Sequence, residues 1–198
     1  MNKNADETKQ LILEAAFEEI HLVGFQAASI SKILENTNLT KGALYHHFKN
    51  KMQLGYAVVE DILRPQIIDV WVHPLESHDN PIDGIKGVLA KHMHELTPEM
   101  ISRGCPLNNL IQEMSPIDNG FRIRLQNIID MWQRSLSHSF QKGQEHGFIR
   151  EDVNPDDVAE FIMSVVEGVS SLSQSSQSTR VMEACAPQFL LYLEALAK

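Results

Sequence analysis

Leu39-Thr40-Lys41-Gly42-Ala43-Leu44-Tyr45-His46-His47-Phe48-Lys49-Asn50-Lys51 is the stretch that decides the fold of this 198-residue chain. Thr40 is a helix cap, its hydroxyl placed to accept a main-chain N–H one turn on. Gly42 and Ala43 carry almost no side chain, so the backbone there can approach a partner closely. Leu44 and Phe48 are four apart and share one face, which leaves Thr40, Lys41, Tyr45 and His46 on the rest of the surface. A helix anchored by apolar residues on one side, and bare, basic and hydroxyl-bearing on the other, suits the DNA major groove.

Upstream, Leu11, Ile12, Ala15, Ala16 and Ile20 repeat at helical spacing behind Asp6, which reads as the first cap, and Gly24 ends that helix. Ser29 caps a second helix carrying Ile30, Ile33 and Leu34, which stops at Asn36-Thr37-Asn38. Two short helices joined by a tight turn form a helix-turn-helix, at about residues 29–48. Asn50 caps a fourth helix, running from Lys51 towards Val70 with Leu54, Val58, Ile62 and Ile67 inward. The sequence then predicts a connector at His73–Pro81 and helices near Ile82–Glu95, Leu107–Met114 and Asp118–Gly143. A short link follows Gly147, Pro155 opens a helix to about Leu172, Ser170–Ser178 is a turn segment, and Thr179–Ala197 is the last helix. The fold class is all-α: an N-terminal three-helix DNA-binding domain, residues 1–51, and a larger helical effector-binding and dimerisation domain, residues 52–198.

The net charge of −9 argues against a nucleic-acid partner until it is mapped. Residues 1–51 are neutral, with Lys32, Lys41, Lys49 and Lys51 facing Glu35 alone in their second half, whereas residues 52–198 carry the whole −9. An acidic body weakens indiscriminate phosphate binding and leaves it to one basic end. No apolar run approaches the ~20 residues of a membrane span. The start, Met1-Asn2-Lys3-Asn4-Ala5-Asp6-Glu7, lacks the apolar core of a signal peptide, and two cysteines make no disulfide framework. A cytoplasmic protein without a membrane partner is expected.

The chain resembles the TetR family of bacterial transcription regulators. The likeness runs through Ile12-Leu13-Glu14-Ala15-Ala16, Gly24-Phe25, Ser29-Ile30, Ile33, Leu39 to Lys51, and Leu54, about the first quarter of the chain. Beyond it only the layout matches, including Gly147-Phe148-Ile149 through Pro155 to Glu167-Gly168. Leu34 departs from a common small residue, and Asn38 from a frequent glycine, mildly so because Asn tolerates a left-handed turn. The resemblance implies that Ser29 and Thr40 cap and touch phosphates. Lys41, Gly42 and Ala43 would lie against base edges, and Tyr45, His46 and Lys51 would contact the backbone. The last two helices present more apolar faces than one small domain needs, which suggests a homodimer joined through them, by residues such as Phe161, Val165, Val169, Phe189 and Leu193. Two reading helices would then stand about one duplex turn (~34 Å) apart on a palindromic operator.

A repressor released by a small molecule follows, with an activator or a corepressor-dependent regulator as alternatives. A helical enzyme or an interaction module is the other class, but no glycine-rich phosphate loop, paired metal motif or nucleophile elbow appears. No cofactor is implied. Trp71, Met93, Met100, Phe121, Met131, Trp132 and Phe140 are candidates to line an apolar effector cavity, each with ordinary core as its alternative. His92 and His94 are two apart and point away from one another on a helix, so no metal is expected. Cys105 precedes Pro106 and lies near Arg103, so a helix N-terminus and a cation could favour its thiolate. The segment also resembles a branch of the family with an electrophile- or oxidant-sensing cysteine; a small buried thiol is the alternative. Cys185 reads as core.

Overall fold

A computed structural model describes residues 3–35 and 37–198, with the side chains of Lys3 and Asn4 outside the description. The expected turn residue Asn36 therefore lies outside the described residues. The described chain is helical, without a strand; one isolated antiparallel bridge joins Ile149 and Ala197. No described helix is long and apolar enough to cross a membrane.

The chain divides into two compact units. One holds the residues up to Gln66 together with Pro106–Gln126; the other holds Ile67–Cys105 and Asn127–Lys198. In the first, α1 (Lys3–Val23) packs on α2 (Ile30–Leu34), α3 (Lys41–His47) and α4 (Lys51–Val58). Asp6 lies in the first turn of α1 rather than before it, because the helix is already formed at Lys3. Gly24 stops α1 with φ +85, the left-handed conformation glycine adopts without cost. Ile12, Leu13, Ala16 and Ile20 are buried from α1, and Ile33, Leu34, Leu44, Phe48, Leu54 and Val58 from the helices that cover it.

Helical geometry does not end at Val70. After α4 the chain continues through π-helical Val59–Leu63, α5 (Arg64–Ile67), π-helical Ile68–Val72 and α6 (His73–Glu76). Pro65 and Pro74 have no N–H to donate, and widened turns just before each accommodate that missing bond while the rod continues. The connector is correspondingly shorter than His73–Pro81, and Asn80 caps α7 (Pro81–Glu95). A further short helix, α8 (Pro98–Arg103), is capped by Thr97.

To the first unit α9 (Pro106–Met114) contributes Leu107, Leu110 and Met114, and the start of α10 (Asn119–Glu145) contributes Phe121 and Leu125. Phe121 meets Phe25 edge-on at 4.7 Å and Tyr56 at 5.1 Å between ring centroids. Gly55 makes this possible, because a Cβ there would stand 2.7 Å from Phe121 Cζ and closer still to Phe25 Cε2. Tyr56 Oη donates to Asp118 at 2.9 Å, and Arg124 pairs with Glu60 at 2.8 Å.

In the second unit Ile128, Trp132, Leu136 and Phe140 of α10 form a buried stripe at helical spacing. Gly147, at φ +78, turns the chain into a link whose ends are tied down: Arg150 N–H donates to Leu196 O at 3.0 Å, and Lys198 N–H to Phe148 O at 3.1 Å. Asn154 then caps α11 (Pro155–Ser176), which runs through the expected Ser/Gln turn segment and stops at Gln177, φ +51. Serine is only mildly unfavourable inside a helix, so the serine run does not break it. The last helix is α12 (Arg180–Ala195).

Gly55→Ala should lower the unfolding free energy by about 1–3 kcal/mol, since the two rings must move apart to admit a methyl group. Urea denaturation measures this; an unchanged midpoint would show that the ring pair yields freely.

Candidate nucleic-acid interface

The expected reading helix is built by local hydrogen bonds. Ser29 Oγ accepts Lys32 N–H at 3.2 Å to start α2, and Thr40 Oγ1 accepts Ala43 N–H at 3.1 Å to start α3. Between them the buried Thr37 hydroxyl donates to Leu34 O at 3.0 Å and accepts Leu39 N–H at 3.2 Å. Asn38 takes the left-handed conformation, φ +55. Thr37 is a pin that sequence reasoning passed over; its signal was a hydroxyl residue between two apolar runs, a pattern shared by many exposed turns.

Leu44 and Phe48 are buried beneath α3, while Ser29, Thr40, Lys41, Gly42, Tyr45 and His46 are exposed and Ala43 is half-exposed. A Cβ on Gly42 would meet only Thr40 Oγ1, at 3.6 Å, so the backbone there is bare. Exposed hydroxyls, cations and helix N-termini are the groups that make most phosphate contacts. His47 is half-buried, with its ring 6.3 Å from that of Phe48. Lys51 differs from the others. Its ammonium donates to Gln26 O at 3.0 Å and sits 4.8 Å from the Phe25 ring centroid, and burial lowers its pKa. Lys32 pairs with Glu35 at 2.9 Å on the surface.

The candidates for an effector cavity separate. Trp71 and Trp132 meet, with centroids 4.9 Å apart, and Trp132 is fully buried with an indole N–H that has no hydrogen-bond partner among the described residues. Phe140 is buried and Met131 half-buried, but Met93 and Met100 are exposed. Phe121 belongs to the first unit, held there by the space above Gly55.

Cys105 ends a tight bend. Gly104, at φ +68, lies so close to α11 that a Cβ would stand 2.6 Å from the Gln174 side chain, and Gln174 Nε2 donates to Arg103 O at 2.9 Å. The Cys105 thiol donates to Glu167 Oε1 at 3.4 Å, and Arg103 pairs with Glu99 at 2.5 Å. Burial pushes the Glu167 carboxyl above its usual range, partly opposed by the bond from Cys105. Cys185 is half-buried.

Of the residues expected at a dimer face, Phe161 is 44% exposed and Val165 and Val169 are half-buried. Phe189 and Leu193 are not available: with Leu196 they form the inward stripe of α12 and are buried within the protomer. The large apolar residues this helix pair leaves exposed are Phe161, Leu172 and Leu191, the last two about 60% exposed.

Residues 12–58 match the family model for bacterial regulatory proteins of the tetR family, and residues 81–189 match that of the tetracyclin repressor-like C-terminal domain. Among curated proteins, the transcriptional regulator AcuR of Cereibacter sphaeroides is 27% identical over 80% of this chain and 73% of its own length. The HTH-type transcriptional repressor DhaR of Mycobacterium sp. (strain GP1) is 24% identical over 73% of this chain and 71% of its own. A TetR transcriptional regulator from Chloroflexus aurantiacus superposes with TM-score 0.86 at 24% identity, covering 99% of this chain and 98% of that one. The reduced form of NemR from E. coli gives 0.78 at 18% identity, covering 96% and 97%.

Burial raises the Glu167 pKa in the folded state. The folded state holds this proton to higher pH than the unfolded chain, so the associated stability is complete below the unfolded pKa and is lost as pH rises through the folded one. Between about pH 4 and pH 8 the melting temperature of Glu167→Gln should therefore rise relative to wild type. A difference independent of pH would show that the carboxyl titrates alike in both states.

Proposed function

The chain belongs to the TetR family of bacterial regulatory proteins, and from that premise we propose that it is a cytoplasmic, homodimeric repressor of a palindromic operator, released by a small molecule. It is a DNA-binding transcriptional regulator. The observation that carries it is α3: a helix capped by Thr40, held by Leu44 and Phe48, and open to solvent along Lys41, Gly42, Tyr45 and His46. Lys41, Gly42 and Ala43 meet base edges, while Ser29, Thr40, Tyr45 and His46 meet phosphates. Lys51 contributes by holding the protein behind them, through its bond to Gln26 O. The work is done by binding rather than catalysis, with residues 1–51 as the reading domain and the rest for effector and dimer.

Two copies join through α11 and α12 over the apolar residues these helices leave exposed, Phe161, Leu172 and Leu191. Effector binding in the helical body, near Trp71 and Trp132, changes the tilt of the rod that begins at Lys51 and so the spacing of the two reading helices. This needs different affinities of the effector for two states of the protein. Trp132 N–H supplies a donor for an acceptor-bearing effector. Release by an electrophile at Cys105 is the second reading, favoured by its half-exposed thiol.

A duplex selected from a random-sequence pool by the wild-type protein should be palindromic, and its gel-shift affinity should fall steeply with salt. Lys41→Ala with Tyr45→Ala should abolish the shift; a band indifferent to both would falsify the assignment of α3. Alkylation of Cys105 should release this duplex and Cys105→Ser should prevent release, whereas equal release from both proteins removes the electrophile reading.

A further inference from the structure

Behind the exposed face of α3, the turn between α1 and α2 is held by a residue from far along the chain. Glu113, near the end of α9, accepts two adjacent main-chain N–H groups: Oε2 from Phe25 at 2.8 Å and Oε1 from Gln26 at 2.8 Å. The turn's own main-chain bonds run from Gly24 to Ile20 O and from Ala28 to Gly24 O, and Glu113 supplies the acceptors for two of the three N–H groups between them, those of Phe25 and Gln26. Lys51 from α4 takes the opposite polarity, donating to Gln26 O at 3.0 Å with its ammonium over the Phe25 ring. The fit is close: a Cβ on Gly24 would stand 3.0 Å from Glu113 Oε2. Charge-assisted bonds from one carboxylate to two successive amides are stronger than neutral ones and fix direction as well as distance.

We propose that Glu113 is a positioning residue for DNA reading, a carboxylate fork that fixes the α1–α2 turn and thereby the attitude of α2 and α3 towards the duplex. The turn ends two residues before Ser29, the cap of α2, and α2 leads through the Thr37 pin into α3. Glu113 touches none of the proposed DNA contacts, so it acts through the backbone it holds. The inference rests on α3 as the reading helix. Its chemistry is specific: glutamine keeps the shape but turns one acceptor into a donor that faces an N–H, and aspartate keeps the charge but withdraws it by one methylene.

Operator affinity of full-length wild type, Glu113→Asp and Glu113→Gln is measured on the selected duplex across a salt series, with amide hydrogen exchange at Phe25 and Gln26. Affinity should fall in that order, to on the order of tenfold weaker for Glu113→Gln, as a donor left unsatisfied implies. The salt slope should stay that of wild type, because no phosphate contact is removed. Exchange at Phe25 and Gln26 should quicken. If Glu113→Gln fails to fold, Glu113→Asp carries the comparison. Affinity within twofold of wild type in the folded variants overturns the role of Glu113 while leaving α3 as reader, provided Lys41→Ala with Tyr45→Ala still abolishes binding. Loss of no affinity in that double variant overturns both.

Discussion

Helices of five and seven residues do not persist alone in water, because each must fix a full turn of backbone before its hydrogen bonds begin to compensate. α2 and α3 are that short, and the face proposed to read DNA depends on how they are held. Part of the holding is local, in the hydroxyl caps of Ser29 and Thr40 and the Thr37 pin. Part is hydrophobic, where Ile33, Leu34, Leu44 and Phe48 are buried. The remainder is long-range and polar: Glu113 takes the N–H groups of the turn that leads into α2, and Lys51 takes a carbonyl of the same turn. The exposed side chains of α3 therefore need make no internal contacts. They are left to a partner.

This division explains what the sequence makes legible. Caps, left-handed turns and apolar stripes are local, and Ser29, Thr40, Asn50, Gly24, Leu44 and Phe48 stand where their spacing places them. Helix through Pro65 was expected, but its continuation past Val70 through Pro74 was not legible, since a proline ends most helical patterns and its tolerance depends on a widened turn that no single residue type marks. Glu113 was invisible for another reason. A carboxylate on an amphipathic helix reads as solvated surface, and only the return of α9 to the α1–α2 turn gives it two amides to accept. Phe121 was assigned to an effector cavity because an aromatic residue carries no address; the missing side chain at Gly55 supplies one.

The same limit governs the end of the chain. Apolar residues on α11 and α12 outnumber those needed inward, and sequence alone does not sort them. Phe189, Leu193 and Leu196 form one stripe and are consumed within the protomer, whereas Leu191 lies on the other side of α12 and stays exposed with Leu172 and Phe161. Stripe phase separates the two sets, and the phase is fixed only when one side of the helix is known to be covered.

Cys105 shows how a correct local premise can meet a stronger neighbour. A helix N-terminus and an adjacent arginine both favour a thiolate. In the folded chain Arg103 is paired with Glu99, and the sulfur donates to the Glu167 carboxyl. Glu167 is itself held above the usual carboxylate range by burial, and the bond it accepts from Cys105 opposes that shift in part. A donor facing a carboxyl eases its ionisation, whereas burial resists it, and here burial is the larger effect. The thiol is thus engaged as a donor to Glu167, and any reagent that takes the sulfur removes that bond.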